Sequence, residues 1–181
     1  GVPKELWDAA LEERPEDEET VYVLLCRKIK SDTPDRAEMK KATDALFRGA
    51  AWRELVAQCL AGAGNGTMHF IGLLSDGNVH SHLDHLKALL RQAKADGVRR
   101  LRVHALLDGR DVPETSALDY FVPFTQFLAE LSADGRTDAR IASGGGRMVI
   151  TMDRYGANWQ MVEKGWQIHV RGAGRMFPDA P

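Results

Sequence analysis

The chain has 181 residues, of which 44% are hydrophobic and 28% charged, and its formal net charge is −2. This composition favours a globular protein with a sizeable core, and the lack of a basic excess argues against a nucleic-acid-binding surface. No apolar stretch approaches the roughly 18 uncharged residues of a membrane span, and no signal segment opens the chain. We therefore expect a cytoplasmic protein with neither a membrane nor a nucleic-acid partner.

The N-terminal part of the chain combines an acidic segment with short apolar patches. Charged residues at 12–19 indicate a solvated loop or helix end. A β-rich run predicts a strand at 21–26, and helical spacing predicts helices at 31–47 and 52–60. The second helix is expected to end in the loop "AGAGNG", which precedes a strand and is therefore not interpreted as a phosphate cradle. Neither cysteine has metal-type spacing, and both are interpreted as reduced core thiols, with one disulfide as the alternative.

Strands and helices alternate from residue 68 onward. Apolar runs bounded by Asp-Gly predict buried strands, and stripes of apolar residues predict amphipathic helices between them. Pro123 is expected to kink the second of these helices or to mark its start. This alternation predicts an α/β fold, a three-layer α/β/α domain with a largely parallel sheet and right-handed crossovers. In chain order the predicted elements are strand 68–75, helix 83–96, strand 101–107, helix 116–131, strand 139–143 and helix 158–170.

Polar or glycine-rich loops follow all three predicted strands, which end at Ser75, Leu107 and Ser143. Their sequences are "SDGNVHSH", "DGRDVPETS" and "SGGGR". Ligands of open parallel sheets bind at the carboxyl ends of the strands, so we expect these loops to converge on one side. Their chemically active side chains are His80, His82, Arg110, Asp111 and Arg147.

Two chemistries fit this set of side chains. Half of the 6 histidines, namely His80, His82 and His85, lie close together, which suggests a metal site, but such a site needs three or four converging ligands. Arginines suggest instead a pocket for a small polyanion, because the guanidinium fork matches carboxylate and phosphate. His82 and His85 are then helix-start residues, and Asp111 is an ion-pair partner of Arg110 or a general acid/base.

Three longer motifs favour the polyanion pocket: "HFIGLLSDGNVHSHLDHLKALL", "VHALLDGRDVPETSALDY" and "IASGGGRMVITMDRYGANWQMVEKGW". In order and spacing they resemble the substrate-binding domain of cofactor-independent phosphoglycerate mutases. The resemblance covers about residues 40–181, and we place the domain at 37–181. Residues 1–36 stay unplaced, as an insertion or a link to another domain.

The resemblance implies an isomerase of glycolysis and gluconeogenesis that interconverts 3-phosphoglycerate and 2-phosphoglycerate. In that family a serine beside two divalent metal ions, usually manganese, takes up the phosphoryl group and returns it to the other hydroxyl. One domain carries the serine and the metal ligands, and the substrate-binding domain is inserted into it. The cofactor 2,3-bisphosphoglycerate is not needed.

The family's substrate contacts map onto the loops residue by residue. His80 of "VHSH", Arg110 and Asp111 of "DGRD", Arg147 of "GGR" and Arg154 of "MDR" match substrate-binding positions, and Asp111 is the candidate general acid/base. The segment "RMVITMDR" is one residue longer than the commoner bacterial type and resembles the plant and trypanosomatid branch. We expect Arg110 and Arg147 to lie on solvent-facing loops rather than in the core.

The serine-bearing motif and the metal ligands have no match in this sequence. We therefore expect no metal bound by this chain, a monomer, the serine and metal domain as its partner, and no turnover by the chain alone. Ser75, Ser81 and Ser143 are interpreted as loop and cap residues. Two other classes remain open: a metal-dependent hydrolase using His80, His82 and His85, and a non-catalytic binder of phosphoglycerate or another anion.

Overall fold

The computed structural model describes residues 44–64, 66–150 and 158–177. The chain divides into two compact units, Gly1–Gln58 and Cys59–Pro181. The predicted strand at 21–26, most of the predicted helix at 31–47, and Arg154 lie outside the described residues. Among the described residues, no helix combines the length and the apolar character needed to cross a membrane.

The helix that follows Gly49 is longer than predicted. Helix α1 spans Ala50–Gly64 and continues into the stretch that was expected to be a glycine-rich loop. Alanines alternate with the glycines there, and alanine has the highest helix propensity, which offsets part of the cost of each glycine. In the first unit, the rings of Phe47 and Trp52 lie 5.0 Å apart, and Trp52 is buried.

The second unit is built on a parallel three-stranded sheet in the order β1-β2-β3, so the predicted α/β fold is confirmed. Its strands alternate with three helices. In chain order they are β1 Thr67–Leu73, α2 Leu83–Ala95, β2 Arg100–Leu107, α3 Ala117–Ser132, β3 Asp138–Gly146 and α4 Trp159–His169.

Helices cover both faces of this sheet. Crossovers of the usual right hand put α2 and α3 on the same face of a parallel sheet, and the hydrogen bond from Lys94 of α2 to the carbonyl of Leu131 of α3 at 2.6 Å agrees with this arrangement. On the other face Ile168 of α4 packs against Leu73 and Leu106. Residues that are almost fully shielded from solvent fill the layers: Leu90, Leu101, Val98, Val103 and Phe124.

Gly97 and Pro123 were expected to mark helix boundaries, and the structure confirms only the first. Gly97 lies just past the end of α2 with φ of 91°, a conformation that favours glycine, as predicted for a helix stop. The interpretation of Pro123 as a helix start is wrong, because α3 begins at Ala117 and encloses the proline. An interior proline removes one backbone hydrogen bond from a helix. The side chains of Phe124 and Leu128, which follow the proline in α3, are buried and keep the helix packed in the core.

Strand β3 departs most from prediction. It runs to Gly146 rather than ending at Ser143, and its pairing shifts by one residue, because Ile141 pairs with Val103 while Ser143 pairs with His104. Such a bulge turns the following side chains to the opposite face. Ser143 therefore shares a face with His104 and is not a loop or cap residue.

Candidate functional site

The carboxylate of Asp108 lies at the carboxyl ends of all three strands. One of its oxygens, Oδ2, accepts from Ser75 Oγ at 2.5 Å. The other, Oδ1, accepts from the backbone N–H groups of Arg110 and Asp111 at 3.3 and 3.1 Å and from Arg147 Nη1 at 2.9 Å. Asp108 is 5% exposed. One buried carboxylate therefore joins residues from the loops after β1, β2 and β3.

Arg147 is shared between two carboxylates. Its Nη1 also donates to Asp111 Oδ2 at 2.7 Å, so the same nitrogen bridges Asp108 and Asp111. The backbone N–H of Arg147 donates to the carbonyl of Leu107 at 2.9 Å, which fixes the start of its loop. A guanidinium has five N–H donors, and these two ion pairs use those of Nη1 only.

The charges of this group support one another. Burial raises the pKa of Asp108, but the hydrogen bonds from Ser75, from the Asp111 N–H, from Arg147 and from the Arg110 N–H outweigh it, so the net pKa is lowered. Burial lowers the pKa of Arg147, but its bonds to Asp111 and Asp108 outweigh that effect and raise it. Both groups are therefore ionised near neutral pH.

The loop after β1 is tied to the same edge by several contacts. Ser81 Oγ donates to the carbonyl of Leu73 at 2.9 Å, and the Tyr120 hydroxyl of α3 donates to Asp76 Oδ1 at 2.5 Å. The hydrogen bond to Asp76 raises the pKa of Tyr120 to about 12. A Cβ on Gly77 would lie 2.9 Å from the Cβ of Asp111, so only glycine permits this approach between the two loops.

The crowded histidines of this loop have separate positions. His82 caps α2, because its Nδ1 accepts from the N–H of Asp84 at 3.1 Å. His85 lies in the first turn of α2, half-buried, and burial together with neighbouring His82 lowers its pKa against the opposing effect of Asp84. His80 is exposed. The interpretation of His82 as a helix-start residue agrees with its position.

Of the residues predicted to form the site, Asp111 and Arg147 are brought into direct contact. His80 and Arg110 have exposed side chains in the loops after β1 and β2, and Arg154 lies outside the described residues. The expectation that Arg147 faces solvent is wrong, since it is 5% exposed. The proposed ion pair of Asp111 is with Arg147 rather than with its neighbour Arg110.

Sequence reasoning missed Asp108 and the role of Ser75. The pattern that could have revealed Asp108 is an aspartate at a strand end with a glycine one residue later, because such side chains accept from backbone N–H groups two and three residues on. Gly109 has φ of 67°, and this conformation turns the chain beneath the carboxylate. Nothing in the local sequence indicates that Arg147 reaches the same oxygen.

A second polar group lies on the sheet face that α4 covers. His69 Nδ1 is hydrogen-bonded to His104 Nε2 at 2.9 Å, His104 Nδ1 to Ser143 Oγ at 2.6 Å, and Ser143 Oγ to His169 Nδ1 at 2.7 Å. We call these four residues the histidine line. Burial, His69 and His169 lower the pKa of His104, and burial lowers that of His169. The expectation that His104 is a satisfied, semi-buried histidine agrees with this arrangement.

Metal ligands do not converge in the part of the chain that the structure describes. Within those residues, no group of three or more histidine, cysteine, aspartate or glutamate side chains could hold a metal ion. The ring nitrogens that join the histidine line are engaged with one another and with Ser143, and His82 Nδ1 is engaged as a cap. The described residues therefore do not fit the two-metal centre that the resemblance implies.

Comparison with known proteins gives consistent results. The family described as "BPG-independent PGAM N-terminus" matches residues 38–180. A probable 2,3-bisphosphoglycerate-independent phosphoglycerate mutase of Leptospira interrogans is 57% identical over 139 residues, which are 77% of this chain and 25% of that protein. The 2,3-bisphosphoglycerate-independent phosphoglycerate mutase of Nicotiana tabacum is 44% identical over 143 residues, 78% of this chain and 25% of that protein.

A solved structure is also similar. A crystal structure of Leishmania mexicana phosphoglycerate mutase at low cobalt concentration has a TM-score of 0.72 and 43% sequence identity, over 78% of this chain and 26% of that chain. The chain therefore spans about a quarter of the length of the relatives it matches. Because the family match covers most of the sequence, this chain belongs to the family of BPG-independent phosphoglycerate mutase N-terminal domains.

Proposed function

We propose that this chain is the substrate-binding part of a phosphoglycerate mutase that interconverts 3-phosphoglycerate and 2-phosphoglycerate through a phosphoserine. The observation that carries the proposal is the arginine–carboxylate group at the strand ends, found in a chain of this family. Guanidinium groups bind phosphate and carboxylate through charge-assisted hydrogen bonds. A phosphoglycerate carries both of those groups.

The proposed substrate residues either bind the anionic groups of the substrate or transfer a proton. Arg110 and Arg147 bind the phosphate or carboxylate of the substrate, with Arg154 as a further contact. His80 binds the substrate from the exposed loop after β1. Asp111 is the general acid/base for the hydroxyl that attacks or leaves, a task that needs a carboxylate within hydrogen-bond reach of that hydroxyl.

The rest of the enzyme is proposed to lie outside this chain. The nucleophilic serine and two divalent metal ions, with manganese the expected metal, belong to the partner domain of the same protein, where the metals would neutralise charge during phosphoryl transfer. Among the described residues, no group of side chains fits a metal ion. We propose residues 37–181 as the substrate-binding domain, in a cytoplasmic monomer of glycolysis and gluconeogenesis.

Arg110 provides the direct test of substrate binding. In the full-length protein, Arg110→Ala should lower kcat/KM roughly ten- to a hundredfold, because one charge-assisted contact is worth about 1.5–3 kcal/mol. Arg110→Lys should restore only part of the loss, since an ammonium does not reproduce the guanidinium fork. The free energy of unfolding should change by less than about 0.5 kcal/mol, because the side chain is exposed.

Arg99→Ala is the matched control. Arg99 is also exposed but precedes β2, at the opposite end of the strands, and its backbone carbonyl accepts from the N–H of Asp138 at 2.7 Å. Its kcat/KM should equal that of the wild type. Equal activity of the Arg110→Ala and Arg99→Ala proteins would contradict a substrate contact at Arg110.

The other two classes are outcomes of the same experiments. A non-catalytic anion binder would bind phosphoglycerate without turnover in the full-length protein. For a metal-dependent hydrolase, His80→Ala, His82→Ala and His85→Ala should damage activity equally and release a metal. In a mutase, only His80→Ala should lower kcat/KM strongly. No described contact favours the hydrolase.

A further inference from the structure

Asp108 gathers donors from three loops, although it has no match among the substrate contacts of the family. Ser75 comes from the loop after β1, the N–H groups of Arg110 and Asp111 from the loop after β2, and Arg147 from the loop after β3. Within the proposed function, each of these loops carries one or two substrate residues. A single carboxylate thus connects every described loop that would contact the substrate.

We propose that Asp108, itself oriented by Ser75, is a positioning residue that aligns Arg147 and the Arg110–Asp111 turn for the substrate. This inference rests on the proposed function and deepens it. Asp108 need not touch the substrate, since it is 5% exposed. It acts through the residues that it holds.

The geometry of Arg147 supports a positioning role. An arginine side chain has several rotatable bonds, and binding an anion through two parallel hydrogen bonds requires the guanidinium plane to be fixed. Asp108 and Asp111 both hold the same nitrogen, Nη1, at 2.9 and 2.7 Å. The Nη2 and Nε donors are not used by either carboxylate and keep a fixed direction for a ligand. Pre-organisation of this kind lowers the cost of binding.

Stability alone is a poor explanation for this group. A buried ion pair is often no more stabilising than apolar residues of similar volume, because both charges lose their hydration. Here the carboxylate also accepts two backbone N–H groups and a serine hydroxyl, so its position is set by four donors. Such a network defines orientation more than it adds stability.

Ser75 connects the His80 loop to the same carboxylate. Its Oγ donates to Asp108 at 2.5 Å, while its backbone carbonyl accepts from the N–H of Leu83 at the start of α2 at 2.9 Å. The side chain is 1% exposed. Removing the hydroxyl therefore changes Asp108 without removing a group that reaches solvent or the substrate.

Ser75→Ala in the full-length protein tests the proposal, with Ser81→Ala as its matched control. Ser81 is in the same loop and also loses one hydroxyl, but it donates to the backbone carbonyl of Leu73 instead of Asp108. Ser75→Ala should lower kcat/KM about tenfold. It should also move the acidic limb of the pH profile to higher pH, because its hydrogen bond is one of those that lower the pKa of Asp108. Ser81→Ala should leave the limb in place.

A double-mutant cycle separates positioning from general damage. Ser75 and Arg147 share Asp108 as partner, so their effects on kcat/KM should be coupled through it. Once Arg147→Lys has removed the fork, adding Ser75→Ala should lower kcat/KM by less than threefold instead of tenfold. Asp108→Asn should resemble Arg147→Lys in kcat/KM, and Asp108→Glu should recover part of the activity.

Several results would overturn the proposal. Ser75→Ala and Ser81→Ala proteins with the same kcat/KM and pH profile would do so, and so would losses that multiply fully in the cycle. These serine variants decide the matter even where Asp108→Asn does not fold. If the wild type lacks mutase turnover, the proposed function fails by itself, and the cycle is repeated on the Kd for 3-phosphoglycerate. An unchanged Kd in Ser75→Ala, or no binding by the wild type, then overturns the positioning role.

Discussion

The guanidinium of Arg147 lies between two carboxylates and is 5% exposed. Removal of one partner from such a group leaves the other charges buried without compensation, which is strongly destabilising. A residue in this position affects the free energy of unfolding and ligand binding together. Arg110, one loop away, is exposed and has only the second of these effects.

Arg147→Ala is therefore expected to lower the free energy of unfolding by about 3 kcal/mol, against less than about 0.5 kcal/mol for Arg110→Ala. Urea denaturation of both variants at pH 7.5 measures the difference. Arg147→Lys, which keeps a charge near Asp108 and Asp111, should lose less than Arg147→Ala. Equal stability of the two alanine variants would mean that water replaces the guanidinium at no cost.

At the scale of single elements, the bulge in β3 decides which residues meet. The strand pairs in simple register up to Ile141 and again from Ser143, so the intervening Ala142 is the extra residue. If Ala142 paired with His104 in regular register, Ser143 would pair with Ala105 and face α2 and α3 instead of His104 and His169. The histidine line thus depends on this register shift, and it links the sheet to α4 through Ser143 and His169.

We expect the histidine line to make the free energy of unfolding depend on pH. Burial first, and then the neighbouring histidines, lower the pKa of His104 in the folded state. A histidine whose pKa is lowered in the folded state takes up a proton more readily in the unfolded state. Its contribution to the free energy of unfolding is therefore present above the unfolded pKa of about 6.5 and is lost as the pH falls below that value. The free energy of unfolding should therefore fall between pH 7.5 and pH 5.5.

His104→Gln should remove part of this pH dependence, since burial also lowers the pKa of His169 and of His85. It should cost about 1–3 kcal/mol at pH 7.5, because Ser143 and His69 lose a ring partner. Denaturant titrations at both pH values give the comparison. His80→Gln, at an exposed position, is the matched control and should keep the pH dependence of the wild type. If His104→Gln keeps the full pH dependence, the protons are taken up elsewhere.

Sequence periodicity predicts the elements of the second unit better than their contacts. Apolar runs and stripes give the three strands and three helices, because burial of one face imposes a period on each of them. The bulge at Ala142 leaves no such mark, since "ARIAS" alternates in the same way with or without an extra residue. The burial of Arg147 depends on Asp108, which lies 39 positions earlier, so no local pattern reveals it.

At the scale of the whole molecule, the family relatives are about four times longer than the matched region, which covers 25% of the Leptospira protein. Phosphoryl transfer needs a nucleophile and neutralisation of charge. The described residues supply a positioned arginine and a carboxylate but no convergent metal ligands. The division of labour proposed above therefore predicts binding without turnover by this chain alone.

Purified residues 1–181 should bind 3-phosphoglycerate and form no 2-phosphoglycerate, with or without added manganese. Near the proposed site, the hydroxyls of Ser75 and Ser81 are engaged as donors to Asp108 and to a backbone carbonyl. Ser143 differs, because two histidine ring nitrogens lie within 2.7 Å of its Oγ, an arrangement that can activate a nucleophile.

Isothermal titration measures the binding of 3-phosphoglycerate, and a coupled assay measures the formation of 2-phosphoglycerate, with Ser143→Ala as the control. Turnover that disappears in Ser143→Ala would move the chemistry into this chain and to the opposite face of its sheet. Binding without turnover that is unchanged in Ser143→Ala would leave the histidine line as a structural link.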